Sequence, residues 1–273
     1  VFESRMEELV FDQDIENLNI SLTEHSLVIT ESNDDKIHLQ YHPTISEKEN
    51  LQHSIKEKSL EITDTKSTTR HSLGSSIEGI LFIASGVSSR NNEVVLSLPK
   101  GRELKNLTAQ VNHGVLSIAD VKLSNAKILS NGYLLRITDS EIKNSQLITT
   151  GIVNVFETSL TDSRIQADHE HISAEDIQVH GKVELESKKD MVIKLAKKEL
   201  ERINVELSSD HGSIYHRSRE GYNPNEENKE DEEFSNPYKS EKKDTQDLLV
   251  AKAGQDINLP KEEVRSPSYR HHE

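Results

Sequence analysis

Gly114-Val115-Leu116-Ser117-Ile118-Ala119-Asp120-Val121-Lys122-Leu123-Ser124-Asn125-Ala126-Lys127-Ile128 is the stretch on which the fold turns, because the chain repeats its apolar spacing three more times. Steps of 19, 18 and 19 residues lead from Ile118 to Ile137, Val155 and Ala174. The same steps lead from Leu123 to Ile142, Leu160 and Val179, and Ile128 is followed by Leu147 and Ile165. Gly114, Gly132 and Gly151 stand just before the first series. A unit this short, made of brief apolar alternations between turn residues, cannot bury its own apolar side and needs a stacked neighbour. Alternation with a period of two puts one set of side chains inward and sends its polar neighbours to water. The expected fold is therefore all-β, a parallel β-solenoid (β-helix) with 18–19-residue coils and an N-terminal strand-rich cap. The repeat arithmetic gives roughly seven to ten coils.

Outward from the repeats, the pattern sets the organisation. Residues 1–14 form an N-terminal arm, with acid and apolar residues mixed as in a short helix or ordered segment. Residues 15–101 are the strand-rich beginning of the solenoid. Leu18, Ile20 and Leu22 share a face, as do Leu27 and Ile29, then Ile37, Leu39 and Tyr41, then Leu60 and Ile62, and finally Val94, Leu96 and Leu98. Ser46 to Lys58 reads as a polar loop or short helix, and Gly79 to Ala84 as a compact buried run. Residues 102–216 hold the core repeats, interrupted by one helical turn at Lys197 to Arg202. Residues 217–247 lose apolar rhythm and carry Glu226, Glu227 and the run Glu230 to Glu233, which predicts a disordered acidic loop. Residues 248–260 read as one final coil, and 261–273 as a mobile tail.

Composition excludes whole classes. With 48 acidic against 33 basic residues and a net charge of −15, the chain lacks the basic stripe that nucleic acid or anionic lipid demands. It has no cysteine, so disulfides and thiolate zinc sites are ruled out. Tryptophan is absent and aromatics make up 4%, which leaves few stacking platforms for sugars or bases. The longest apolar run, Ile80 to Ala84, is far below the roughly 20 residues of a membrane span. The sequence opens Val1-Phe2-Glu3 with no visible signal peptide, which leaves room for a leader or anchor ahead of it.

Four groups of residues invite a chemical reading. Asp120, Asp139, Asp162 and Asp176 recur near corners, where aligned carboxylates serve glycosidases or bind calcium. Their offsets from the preceding glycines differ, so the plainer reading is capping of corner backbone. His169 and His171 are set on one strand face, with His113 or His180 elsewhere in the stack to complete a zinc or copper site. Chance pairs are common among thirteen histidines, so surface histidines are the simpler account. His113-Gly114, His180-Gly181 and His211-Gly212 look catalytic, but the glycines are expected to supply positive φ at tight corners. Ser75-Ser76 has no assignable His/Asp partners, and the acidic run 226–233 lacks the order of a calcium loop. No catalytic, cofactor-binding or metal-binding residue is assigned, and no cofactor.

Several segments together resemble a family of bacterial putative adhesins, β-strand-repeat domains of unknown function. Ile15 to Leu22 resembles its opening strand, and Asp35 to Tyr41 its second. Val94 to Gly101 ends in a similar Leu-Pro-Lys-Gly turn. Val111 to Ile118 resembles the repeat strand, and Gly254 to Leu259 the closing copy, with Gln255 inserted. The resemblance spans about residues 15–259. It implies a non-enzymatic β-solenoid on the extracellular face of a bacterial membrane, anchored by a segment outside this sequence. Its implied roles are binding a protein or cell-envelope component and relaying envelope stress. It implies no catalytic residue. Two other classes stay open at this level: a bactofilin-like polymer of stacked coils, and a polysaccharide-active β-helix enzyme.

Overall fold

Alternating apolar residues pair side by side only if neighbouring coils keep register, and they do. The computed structural model describes residues 6–12, 14–43, 51–64, 92–218 and 232–261. Its N-terminal strands are β1 (Glu7–Phe11), β2 (Asn17–Leu22), β3 (Ser26–Glu31), β4 (Ile37–Tyr41), β5 (Gln52–Lys56), β6 (Ser59–Thr63) and β7 (Glu93–Leu98). Four three-stranded coils follow. These are β8 (Asn106–Val111), β9 (Val115–Ala119) and β10 (Lys122–Ser124); β11 (Ala126–Ser130), β12 (Leu134–Thr138) and β13 (Glu141–Lys143); β14 (Gln146–Thr149), β15 (Ile152–Phe156) and β16 (Ser159–Thr161); and β17 (Arg164–Ala167), β18 (Ile172–Glu175) and β19 (Gln178–His180). The C-terminal part holds β20 (Lys182–Ser187), β21 (Met191–Lys194), helix α1 (Lys197–Arg202), β22 (Asn204–Ser209), β23 (Ile214–Ser218), β24 (Glu232–Phe234), β25 (Tyr238–Lys239), β26 (Leu248–Ala253) and β27 (Ile257–Lys261).

Three sheets result, two long and one short. The first has twelve strands, including β9, β12, β15 and β18 in register; the second has eleven, including β8, β11, β14 and β17; the third has four, β10, β13, β16 and β19. Ile118, Ile137, Val155 and Ala174 are successive partners in the twelve-stranded sheet, each 2% exposed or less. The three apolar series thus line one dry interior, as the repeat predicts. Among the described residues no helix is long and apolar enough to cross a membrane.

The order of rungs departs from the order of the chain. β26 lies between β20 and β22, and β27 between β21 and β23, so the last coil in sequence is the second from the end in space. The N-terminal end does the same: β2 lies between β6 and β8, and β3 between β7 and β9. Both arrangements need a connector that climbs two levels. At one end this is the 99–105 segment, whose Lys100 N–H donates to the Asp34 carbonyl and Lys105 N–H to the Glu16 carbonyl. At the other it is the segment holding α1, the helical turn read from sequence. That helix also closes the short sheet, since Glu199 accepts from the Val179 N–H (3.0 Å) and Arg202 donates to the Val179 carbonyl (2.6 Å). These side chains satisfy the backbone groups that a further strand beside β19 would otherwise take.

Antiparallel strands finish each end. β4 runs antiparallel to β7 and β1 to β4, while β5 pairs with β6, β24 with β23, and β25 with β22. Three expectations change here. The arm expected within residues 1–14 carries strand β1. Gln52 to Lys56 is a strand, where a loop or short helix is expected. Within 217–247, residues 232–247 are ordered, because β24 and β25 pair at the edges and Phe234 and Tyr238 pack against the core. Gly79 to Ala84, Ser75-Ser76, Glu226 to Asp231 and the tail after Lys261 lie outside the described residues.

β1 is clipped in place by charge. The His38 imidazole lies between the Glu8 and Asp34 carboxylates, at 2.7 and 2.8 Å. Partial burial pulls the His38 pKa down, but hydrogen bonds to Glu8 and then Asp34 outweigh it and raise it above 6.5. Hydrogen bonds from the Ser32 hydroxyl, the Lys36 N–H and His38 hold Asp34 down at about 2. A raised histidine stabilises fully below its unfolded pKa of 6.5 and loses that stabilisation as pH rises through its folded value. Asp34 contributes fully above 3.8 and loses its share as pH falls toward 2. His38→Gln should therefore loosen β1 most between pH 3.8 and 6.5, and least in alkali. Hydrogen exchange of residues 7–11 across pH measures it, and a pH-independent difference contradicts it.

Candidate functional site

Each three-sided coil turns three corners, and the corner residues form ridges along the solenoid. Between the twelve-stranded and short sheets, Asp120, Asp139, Glu157 and Asp176 all take positive φ, between 46° and 54°. Each donates its backbone N–H to the next coil, from Asp120 to Thr138, Asp139 to Phe156, Glu157 to Glu175, and Asp176 to Lys194. The left-handed conformation suits Asp and Asn best among non-glycine residues. Three of the four expected aspartates are thus stacked in one ladder. Asp162 belongs to another ridge, between the short and eleven-stranded sheets, with Asn125, Asn144 and Gly181.

Glu157 is the fourth member of the acid ladder. It is a glutamate whose position is set by the inward apolar file and not by the preceding glycine, so neither aspartate identity nor glycine offset points to it. Counting two residues past Ile118, Ile137, Val155 and Ala174 finds all four acids. Inside the ridges the buried Ser140, Ser145, Thr158 and Ser163 tie off backbone: their hydroxyls donate to carbonyls two residues earlier, at 2.7–2.9 Å. Positive φ and backbone hydrogen bonds to the next coil account for these residues at the corners and stack their carboxylates along the ridge.

Stacking the carboxylates has an electrostatic cost. The Glu157 carboxyl pKa is raised, first by a hydrogen bond with the Asp139 side chain, then by partial desolvation and the charges of Asp139 and Asp176. An acid raised in the folded state stabilises least when ionised, so this penalty appears as pH climbs above 4.5 and persists beyond the folded pKa. Glu157→Gln keeps a hydrogen-bond donor and removes the charge. We expect it to melt no lower than the parent at neutral pH and to flatten the melting profile from acid to neutral pH. A lower melting temperature at pH 7 would show that the carboxylate serves some stabilising contact.

The histidine candidates are not brought together. His169 to His171 sits in a corner, not on a strand face, with His171 Nδ1 3.8 Å from its neighbour Glu170. His113 lies at that same type of corner three coils away, about 14 Å at the usual strand spacing. His180 lies on β19 at a different corner. Among the described residues no group of three or more His, Asp or Glu side chains could hold a metal ion. Of the three His-Gly pairs, Gly114 and Gly181 have the expected positive φ, 78° and 62°. Gly212 does not. Its requirement is space, since a Cβ there would press into the backbone of Gln255 and Asp256.

One buried charge is fully used by the fold. Asp64, 1% exposed, accepts from the Thr23 and Glu24 N–H groups (2.8 and 2.7 Å) and pairs with His25 Nδ1 (2.9 Å). Burial would raise its pKa, but the hydrogen bonds from His25, Thr23 and Glu24 prevail and lower it. The carboxylate thereby pins the β2–β3 turn to the end of β6.

The third ridge differs. Gly132 and Gly151 let backbones stack closely there: a Cβ on Gly132 would meet the Gly114 carbonyl oxygen at under 3.0 Å. Tyr133 stands on this ridge, 67% exposed.

A family model described as Toastrack DUF4097 matches residues 15–260, nearly the span expected from the sequence resemblance. No curated protein matches the chain. Among solved structures, a putative cell adhesion protein from Clostridium sporogenes is 14% identical, with 94% of this chain and 99% of that one covered and a TM-score of 0.28. A putative adhesin from Bacteroides fragilis is 9% identical, with 93% and 97% covered and a TM-score of 0.34.

Proposed function

Because the chain belongs to the Toastrack DUF4097 family, we propose that it is a non-enzymatic, adhesin-like binding module. In this reading it is the ectodomain of a membrane-anchored bacterial protein that contacts a protein or cell-envelope component or relays envelope stress. The observation that carries it is closure of both ends. Antiparallel strands and interlocked rungs seal the stack, leaving its long sides as the surface on offer. The nine parallel rungs among the described residues give a rod about 40 Å long at the usual strand spacing. The ladder acids support a structural role, being accounted for by corner geometry.

Negative-stain microscopy tests closure: separate short rods are expected, whereas filaments would favour a bactofilin-like polymer. A turnover screen on cell-wall glycans and uronates tests the absence of catalysis. Turnover abolished by Asp120→Asn or Asp139→Asn would replace this reading with an enzyme.

A further inference from the structure

We propose that the glycine ridge, with Tyr133 at its crest, is a docking surface for a protein segment that presents apolar side chains flanked by carboxylates. This deepens the reading of the rod as a binding module and rests on it. On the twelve-stranded flank, Val115, Leu134 and Ile152 point outward in register, each half-buried. On the eleven-stranded flank, Leu129 (40% exposed) lies outward beside Ile148. Apolar residues therefore line both sides of a ridge whose glycines bring neighbouring backbones close, leaving Tyr133 to project. On the other two ridges the positive-φ corner residues are Asp, Glu and Asn with Gly181, and the large apolar residue exposed beside them is Phe156. Exposed apolar surface of this kind in a polar chain marks interaction sites, and tyrosine and arginine are enriched in them.

Charge selects the partner. Lys127 lies two residues before Leu129, and Arg136 two residues after Leu134; both are exposed. Neither forms an ion pair among the described residues, and their in-register neighbours are the uncharged Thr108, Gln146, Ser117 and Asn154. Some other cations of the rod are engaged, such as Lys105 with Glu16, Arg164 with Glu186, and Lys194 with Glu175. Lys122 and Lys143 of the short sheet are exposed and unpaired among the described residues too, so what sets Lys127 and Arg136 apart is their place beside the apolar rows. In a chain of net charge −15, two unengaged cations bracketing an apolar ridge favour carboxylates at the matching positions of a partner. Two such charges are too few to hold an anionic membrane against that net charge, and the apolar rows suit a polypeptide.

The test is selection of randomised short peptides on the whole protein, followed by solution binding of a synthetic selected peptide. Selected sequences should combine apolar residues with Asp or Glu. Affinity should fall about tenfold or more for Tyr133→Ser and for the double variant K127E/R136E. It should be unchanged for Lys143→Glu on the short sheet. All these side chains point outward, so each variant should melt like the parent. Selected peptides that ignore the Tyr133 and Lys127/Arg136 variants would sink the ridge while leaving a binding module elsewhere on the rod. Enrichment of basic peptides, or none over a blank support, would overturn the proposal. So would phosphatidylglycerol vesicles that bind through Lys127 and Arg136 without needing Tyr133, since they would assign the cations to lipid.

Discussion

Ending the chain at Asp247 is expected to unfold more than the rung it removes. In a simple solenoid, deleting the last coil exposes the one before it and little else. Here β26–β27 is a spacer between β20–β21 and β22–β23, so its loss strips β22–β23 of its only parallel partners and β20–β21 of its partners on one side, leaving β17 and β18 on the other. It also removes Leu249, Ile257 and Leu259, each 2% exposed or less. Burial of such side chains is worth about 1.5–3 kcal/mol apiece, so the loss is at least about 4.5 kcal/mol before any edge is counted. β22–β23 has no other parallel neighbour and should lose its protection with the deleted coil. Hydrogen exchange should show residues 204–209 and 214–218 unprotected, residues 182–187 weakened, and residues 115–149 close to native. Native protection at 204–209 would mean that β22 can close directly onto β20, and that the interlock is dispensable.

Ile137→Ala is the second large effect, expected to cost about 2–5 kcal/mol. Ile137 is fully buried at the centre of its file, between Ile118 and Val155. A cavity is cheap only where its walls can collapse. Here the strands above and below are held at ladder spacing by hydrogen bonds along β9, β12 and β15, so the void should persist. Arg136→Ala, one residue away and facing outward, should change the melting temperature little. Chemical denaturation of both variants measures the contrast. Equal losses would show that the inward and outward faces have been misassigned.

The readable part of this chain is whatever repeats locally. Ile118, Ile137, Val155 and Ala174 could be matched by counting, because each coil must put a side chain into the same dry interior at the same height. The helical turn at Lys197 to Arg202 was legible for the opposite reason, as a break in that rhythm. Edge strands were not. β1 and β5 bury only part of one face, so Glu7, Glu8, His53 and Ser54 look like loop residues. Asn236 and Ser240 similarly sit in polar sequence, yet they hydrogen-bond the edge of β22 through Ser209 and Val205.

Composition and spacing alone thus determined the solenoid, its period, its inward files and the corners at which it turns, because these depend on residues within one coil of each other. Which rung lies beside which was decided only in three dimensions. An apolar strand with a period of two fits any parallel neighbour of equal length, so nothing local distinguishes β26 beside β22 from β26 beyond it. The choice is made by connectors long enough to climb two levels, and by Glu199, Arg202 and Asp64, which reach backbone groups 20 to 41 residues away in the chain. The unengaged cations beside Tyr133 emerge at the same level, since only the folded stack shows which charges have found a partner.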